Sequence, residues 1–75
     1  MPIVFSEHAE NQLKVRGISK KDVLTVVREP EDIVMSYRGR KLRQGRVGGK
    51  LLEVVTKTEG SRVTIITIYI LEENV

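Results

Sequence analysis

Residues 37–57 read YRGRKLRQGRVGGKLLEVVTK, and the two glycines in their middle decide how the chain folds. Gly48-Gly49 is a two-residue loop that tolerates positive φ at both positions, as the tight turn of a β-hairpin requires. On either side, KLRQGRV and KLLEVVTK read as antiparallel strands, with Gly45 as a candidate bulge in the first. Upstream, Arg38-Gly39 supplies another turn, and IVMSY alternates as a strand with Ile33, Met35 and Tyr37 on one side. Downstream, Glu59-Gly60 marks the turn into RVTIITIYIL, which is apolar on both parities: Val63, Ile65, Tyr69 and Leu71 on one, Ile66, Ile68 and Ile70 on the other. A strand apolar on both faces is expected in the middle of a sheet. Alternation alone leaves open which parity meets the core; if Ile66, Ile68 and Ile70 do, Thr67 and Tyr69 lie on the other face.

Before residue 33 the period is helical. Ser6 reads as an N-cap, Glu7 suits the first turn of a helix, and Gly17 suits its left-handed end. Ala9 and Leu13 form the buried stripe, and His8, Gln12 and Arg16 follow at i, i+4 and i+8 beside it. Ser19, with Asp22 three residues on, opens a second helix that runs to about Arg28 and stops before Pro30. Val23, Leu24, Val26 and Val27 cover one of its faces. Residues 2–5, PIVF, form either a short edge strand or a lead into the first helix. The expected fold is α+β in the order ααββββ, two helices packed on one face of a four-stranded antiparallel sheet, with a further short strand at the start if PIVF forms one.

Seventy-five residues make one domain, near the size at which a single core is marginally stable, so a homodimer or a tight partner fits this length. No apolar run approaches the roughly 20 residues that span a bilayer. MPIVFSEH has neither a basic start nor a long apolar segment, so no signal peptide is expected and cytoplasmic residence is. Zero cysteines exclude disulfides, thiolate nucleophiles and thiolate-held zinc, and one histidine excludes a His-rich metal site. Neither metal nor cofactor is expected.

The net charge of +3 is modest but unevenly placed. Tyr37 to Lys50 holds six Lys or Arg residues, namely Arg38, Arg40, Lys41, Arg43, Arg46 and Lys50, and no acid. That stretch is either a solvated hairpin whose charges discourage edge aggregation or a phosphate-binding surface. The groups suited to catalysis are His8, Arg16, this basic stretch, Thr67 and Tyr69. His8 taken alone reads more often as a surface or capping residue of a first helical turn than as a catalyst, Arg16 also as a complement to the helix dipole, and Thr67 and Tyr69 also as ordinary strand residues. The glycines form no phosphate loop, since no Gly-Lys-Ser/Thr follows them. Glu53, Glu59, Glu72 and Glu73 are too scattered for a carboxylate pair or a magnesium cluster. What remains matches the needs of metal-free RNA cleavage: a base for the 2′-hydroxyl, an acid for the leaving 5′-oxygen and cations for the phosphate.

FSEHAENQLKVRGIS, residues 5–19, resembles the opening F-S-x-H-A-x-x-R-x-x-x-R-G-I-S of a family of small uncharacterised prokaryotic domains. Glu29-Pro30-Glu31 resembles the family's Pro after the second helix, the Arg-rich middle its Arg-bearing hairpin, and VTIITIY its closing strand. That family is similar to the RelE and BrnT toxins of the barnase, colicin and RelE-like group, metal-independent ribonucleases commonly neutralised by an antitoxin. The resemblance implies a RelE-like fold, RNA as substrate, attack of the 2′-hydroxyl on the adjacent phosphate, and a small acidic antitoxin as partner. It implies His8, Tyr69 and Arg46 as the catalytic group, with Arg43 as the other match to the family's strand arginine. Gln12, Arg16, Arg43 and Thr67 are RNA or phosphate contacts by the resemblance, and Arg38, Arg40, Lys41 and Lys50 join them as the other cations of the basic stretch. Gln12 departs from the pattern, standing where the family usually has arginine. The alternative of another class is a non-catalytic domain that binds nucleic acid or an acidic protein through the same hairpin.

Overall fold

The computed structural model describes residues 2–74. Five strands and two α-helices follow in the order β1 (Ile3–Phe5), α1 (Glu7–Arg16), α2 (Lys20–Arg28), β2 (Asp32–Met35), β3 (Arg40–Val47), β4 (Lys50–Glu59) and β5 (Arg62–Glu73). A single 3-10 turn, Tyr37–Gly39, joins β2 to β3. The sheet order is β1-β5-β4-β3-β2, with β1 parallel to β5 and the other pairs antiparallel. The α+β class stands as expected, but the sheet has five strands and is mixed rather than four and antiparallel. PIVF supplies the extra strand by pairing with Val63–Ile65, at the far end of the chain.

Both helices begin where their serines place them. The Ser6 hydroxyl accepts from the Ala9 N–H and donates to the Ile66 carbonyl, so one side chain caps α1 and fixes it to β5. Ser19 accepts from the Asp22 N–H to cap α2. Lys20 spans the layer, pairing with Glu10 at 2.7 Å and lying 5.1 Å above the Phe5 ring. The core is Ala9, Leu13, Ile18, Val23, Val26 and Val27 from the helices against Leu52, Val54, Val63, Ile65 and Ile68 from β4 and β5.

Hairpin geometry follows from Gly48 and Gly49, whose φ of 57° and 76° make the turn that pairs Val47 with Lys50 and carries that register back to Arg40 with Lys57. Gly45 does not bulge: it pairs with Leu52 in regular register and is buried. A Cβ there would meet the Val26 side chain at 3.4 Å, so the glycine is where α2 comes down onto β3. The irregularities lie in β5 instead, where the register against β4 shifts between Val55 and Thr56 and between Leu51 and Leu52. The first shift leaves Ile66 as the extra residue. Val63 and Ile65 before it and Ile68 after it therefore all enter the core, although they belong to different parities. The two-parity apolar pattern of β5 is thus produced by a bulge and not by burial on both faces. Tyr37 also differs from expectation, lying in the 3-10 turn beyond the end of β2. No helix among the described residues is long and apolar enough to cross a membrane.

Candidate nucleic-acid interface

The strand registers sort the basic stretch by face. Arg43 pairs with Val54 and so shares the side of the sheet that carries the helices. There its Nε donates to the Thr56 hydroxyl at 3.0 Å and one terminal nitrogen donates to the Val27 carbonyl at 2.9 Å. Thr56 is fully buried, and its hydroxyl donates a hydrogen bond to the Lys41 carbonyl. Arg43 is therefore a strut that ties the last turn of α2 to β3 and β4, with its donors directed inward. Lys41 and Lys50 lie on the same side of the sheet as Arg43.

Arg40, Arg46 and Tyr69 point the other way, to the face without helices. Arg46 is exposed; its backbone N–H donates to Glu31, and its guanidinium stands 3.9 Å from the same carboxylate. Tyr69 faces Glu53, which accepts from the Gln44 amide at 2.8 Å. Two inter-strand spacings and two residues along β3 separate Tyr69 from Arg46, about 12 Å between Cα atoms at ordinary strand spacings.

His8, Gln12 and Arg16 lie in the helical layer, on α1. His8 and Arg16 are exposed in the first and last turns of α1. Gln12 is buried between them, its amide oxygen accepting from the Ile68 N–H at 2.7 Å and from the Thr67 hydroxyl at 3.0 Å. That oxygen has a specific job. β1 pairs with β5 only as far as Ile65, so the next stretch of β5 has no strand neighbour on that side, and Gln12 supplies the acceptor a strand would have supplied. Gln12 and Thr67 are thus brought together, but in a packing contact. His8, Tyr69 and Arg46 are not gathered at one point: His8 belongs to the helical layer, and the other two belong to the opposite face.

One basic group stands apart from these internal contacts. Arg40 and Lys57 are directly opposite each other on β3 and β4, a like-charge pair that costs stability in a sheet. Neither makes an ion pair among the described residues, and the Arg40 Nε is buried without a hydrogen-bond partner. Arg38, in a left-handed conformation at φ 61°, lies 5.7 Å from the ring of Tyr37, which projects into solvent beside Arg40. Together Tyr37, Arg38, Arg40 and Lys57 form a basic corner with an aromatic ring at its rim. Lys57 and Tyr37 were absent from the expected contacts. The signal for Lys57 was present, because the Gly48-Gly49 turn makes paired residue numbers sum to 97 and so sets 57 against 40.

Residues 5–70 match the profile of a family described as Domain of unknown function (DUF4258). The chain belongs to that family. The match runs from Phe5 to Ile70 and so takes in both helices, the capping Ser6 and Ser19, Gln12, the basic corner and most of β5. No curated protein matches the chain, and no solved structure does.

Proposed function

We propose that this DUF4258 domain binds the phosphate backbone of single-stranded RNA at the corner formed by Tyr37, Arg38, Arg40 and Lys57. The observation that carries the reading is the pair Arg40 and Lys57, set opposite each other with the Arg40 Nε unpartnered. Two cations held side by side without an acid are a local conflict that a phosphate would relieve, and folded proteins keep such departures from local rules at functional sites. Arg presents a planar fork suited to phosphate oxygens, and the Tyr37 ring offers a stacking surface for a base. The resemblance to RelE and BrnT toxins supports RNA as the polyanion. By the same resemblance, the domain belongs to a toxin-antitoxin type of system, with a small acidic protein competing for the corner.

A second reading is metal-independent cleavage of that RNA by 2′-hydroxyl attack. Tyr69 favours it, because a half-exposed phenol directly opposite the Glu53 carboxylate, on the face that also carries Arg40 and Arg46, is a proton donor next to a proton acceptor. Incubation with labelled single-stranded RNA in EDTA tests both readings. The binding reading expects a retarded, intact RNA whose retention is lost in Arg40→Gln/Lys57→Gln. Products ending in a 2′,3′-cyclic phosphate, abolished by Tyr69→Phe, would replace it with the cleavage reading. Free, intact RNA at low salt would remove both.

A further inference from the structure

We propose that β2 is a self-association edge, through which a second copy of this chain pairs antiparallel and extends the sheet. Among the described residues, half of the exposed large apolar side chains fall in five consecutive positions: Ile33 (45% exposed), Val34 (41%), Met35 (65%) and Tyr37 (73%). The helices leave them exposed, α2 packing chiefly on β3 and β4. β2 is the last strand in the order, so its outer backbone edge has no neighbour. The ladder shows which groups that edge offers. The Ser36 N–H donates to the Arg40 carbonyl, so the even-numbered residues of β2 bond to β3 and the backbone groups of Ile33 and Met35 point outward. The outward N–H of Ile33 is held for now by the neighbouring Asp32 carboxylate at 2.9 Å.

The charge order identifies the occupant as a second copy. Glu29, Glu31 and Asp32 precede the apolar centre, and Arg38, Arg40 and Lys41 follow it. Antiparallel pairing of two such segments about a two-fold axis sets the acidic end of each against the basic end of the other, an isologous and self-complementary contact. With Val34 facing Val34 on the axis, Ile33 of each copy exchanges both backbone bonds with Met35 of the other. The Ile33 N–H passes from Asp32 to the facing carbonyl, which frees the carboxylate towards the other copy's Arg38. Both sheet faces stay open, so the joint doubles the sheet and leaves Arg40 and Lys57 uncovered, with Arg38 alone shared between the corner and the joint.

Sedimentation velocity across micromolar to sub-millimolar protein tests this, with a dimer expected. Val34→Cys should cross-link to a disulfide dimer on mild oxidation, since facing Cα atoms of such a pair lie about 4.5 Å apart and the chain has no other cysteine. Met35→Pro removes an outward N–H that β3 does not use, and should weaken the dimer at least tenfold with the circular dichroism unchanged. Asp32→Lys and Arg38→Asp should each weaken it similarly, yet an equimolar mixture of the two should recover it, because only the mixed dimer restores both charge contacts. A monomer at every concentration, a dimer indifferent to Met35→Pro, no cross-link from folded Val34→Cys, or no recovery on mixing overturns the proposal.

Discussion

Gln12 spends its hydrogen-bonding capacity inside the molecule. Its oxygen takes two protons from β5, at Ile68 and Thr67, on a flank that the helical wheel places beside exposed His8 and Arg16. Arginine carries donors only, so the acceptor role belongs to glutamine and not to the residue the resemblance leads one to expect. Gln12→Leu, similar in volume but without an acceptor, should cost about 1–3 kcal/mol in urea unfolding, the penalty of a buried N–H left unpaired. Arg43 makes the same point from the other side of the sheet. It is as basic as Arg40 in sequence, but pairing with Val54 turns it inward to Thr56 and the Val27 carbonyl. Arg43→Gln should lower the unfolding midpoint while leaving the salt dependence of RNA binding unchanged, the reverse of what Arg40→Gln should do.

At the scale of elements, local chemistry was readable where it is enforced by one or two residues. Ser6, Gly17 and Ser19 bound the helices as expected, and Gly48-Gly49 closed the hairpin. Two features were not readable because they depend on distant chain. The pairing of β1 with β5 joins three residues at one end to three at the other, and nothing in PIVF requires it. The bulge at Ile66 lets the strand change parity without leaving the sheet, so RVTIITIYIL offers two equally good apolar rows and no local signal for the switch. The role of Gln12 depends on both, since it fills the place where β1 ends. The bulge predicts an ordering of costs: Ile65→Ala and Ile68→Ala should each destabilise by about 2–5 kcal/mol. Ile66→Ala should cost less than half as much, whereas a strand without the bulge would make Ile66 and Ile68 equivalent. Chemical denaturation of the three variants decides between them.

Across the whole molecule, the sheet separates two kinds of basic residue that the sequence presents as one run. Strand alternation sends Arg43 towards the helices, Arg46 into a contact with Glu31, and Arg40 to a corner where Lys57 faces it and Tyr37 and Arg38 stand at the rim. The charge run was therefore legible in the sequence, but the corner proposed to hold phosphates was not, because the decisive neighbour Lys57 lies beyond the run and arrives through the hairpin register. The central claim is that this corner holds phosphates. The direct measurement is the affinity for a labelled single-stranded oligonucleotide by fluorescence anisotropy over a range of salt. With Arg38, Arg40 and Lys57 each on a phosphate, log K should fall against log salt with a slope of about −2, and Arg40→Gln/Lys57→Gln should reduce it to about −0.7. An affinity indifferent to salt, or a slope the double variant leaves unchanged, would contradict the claim.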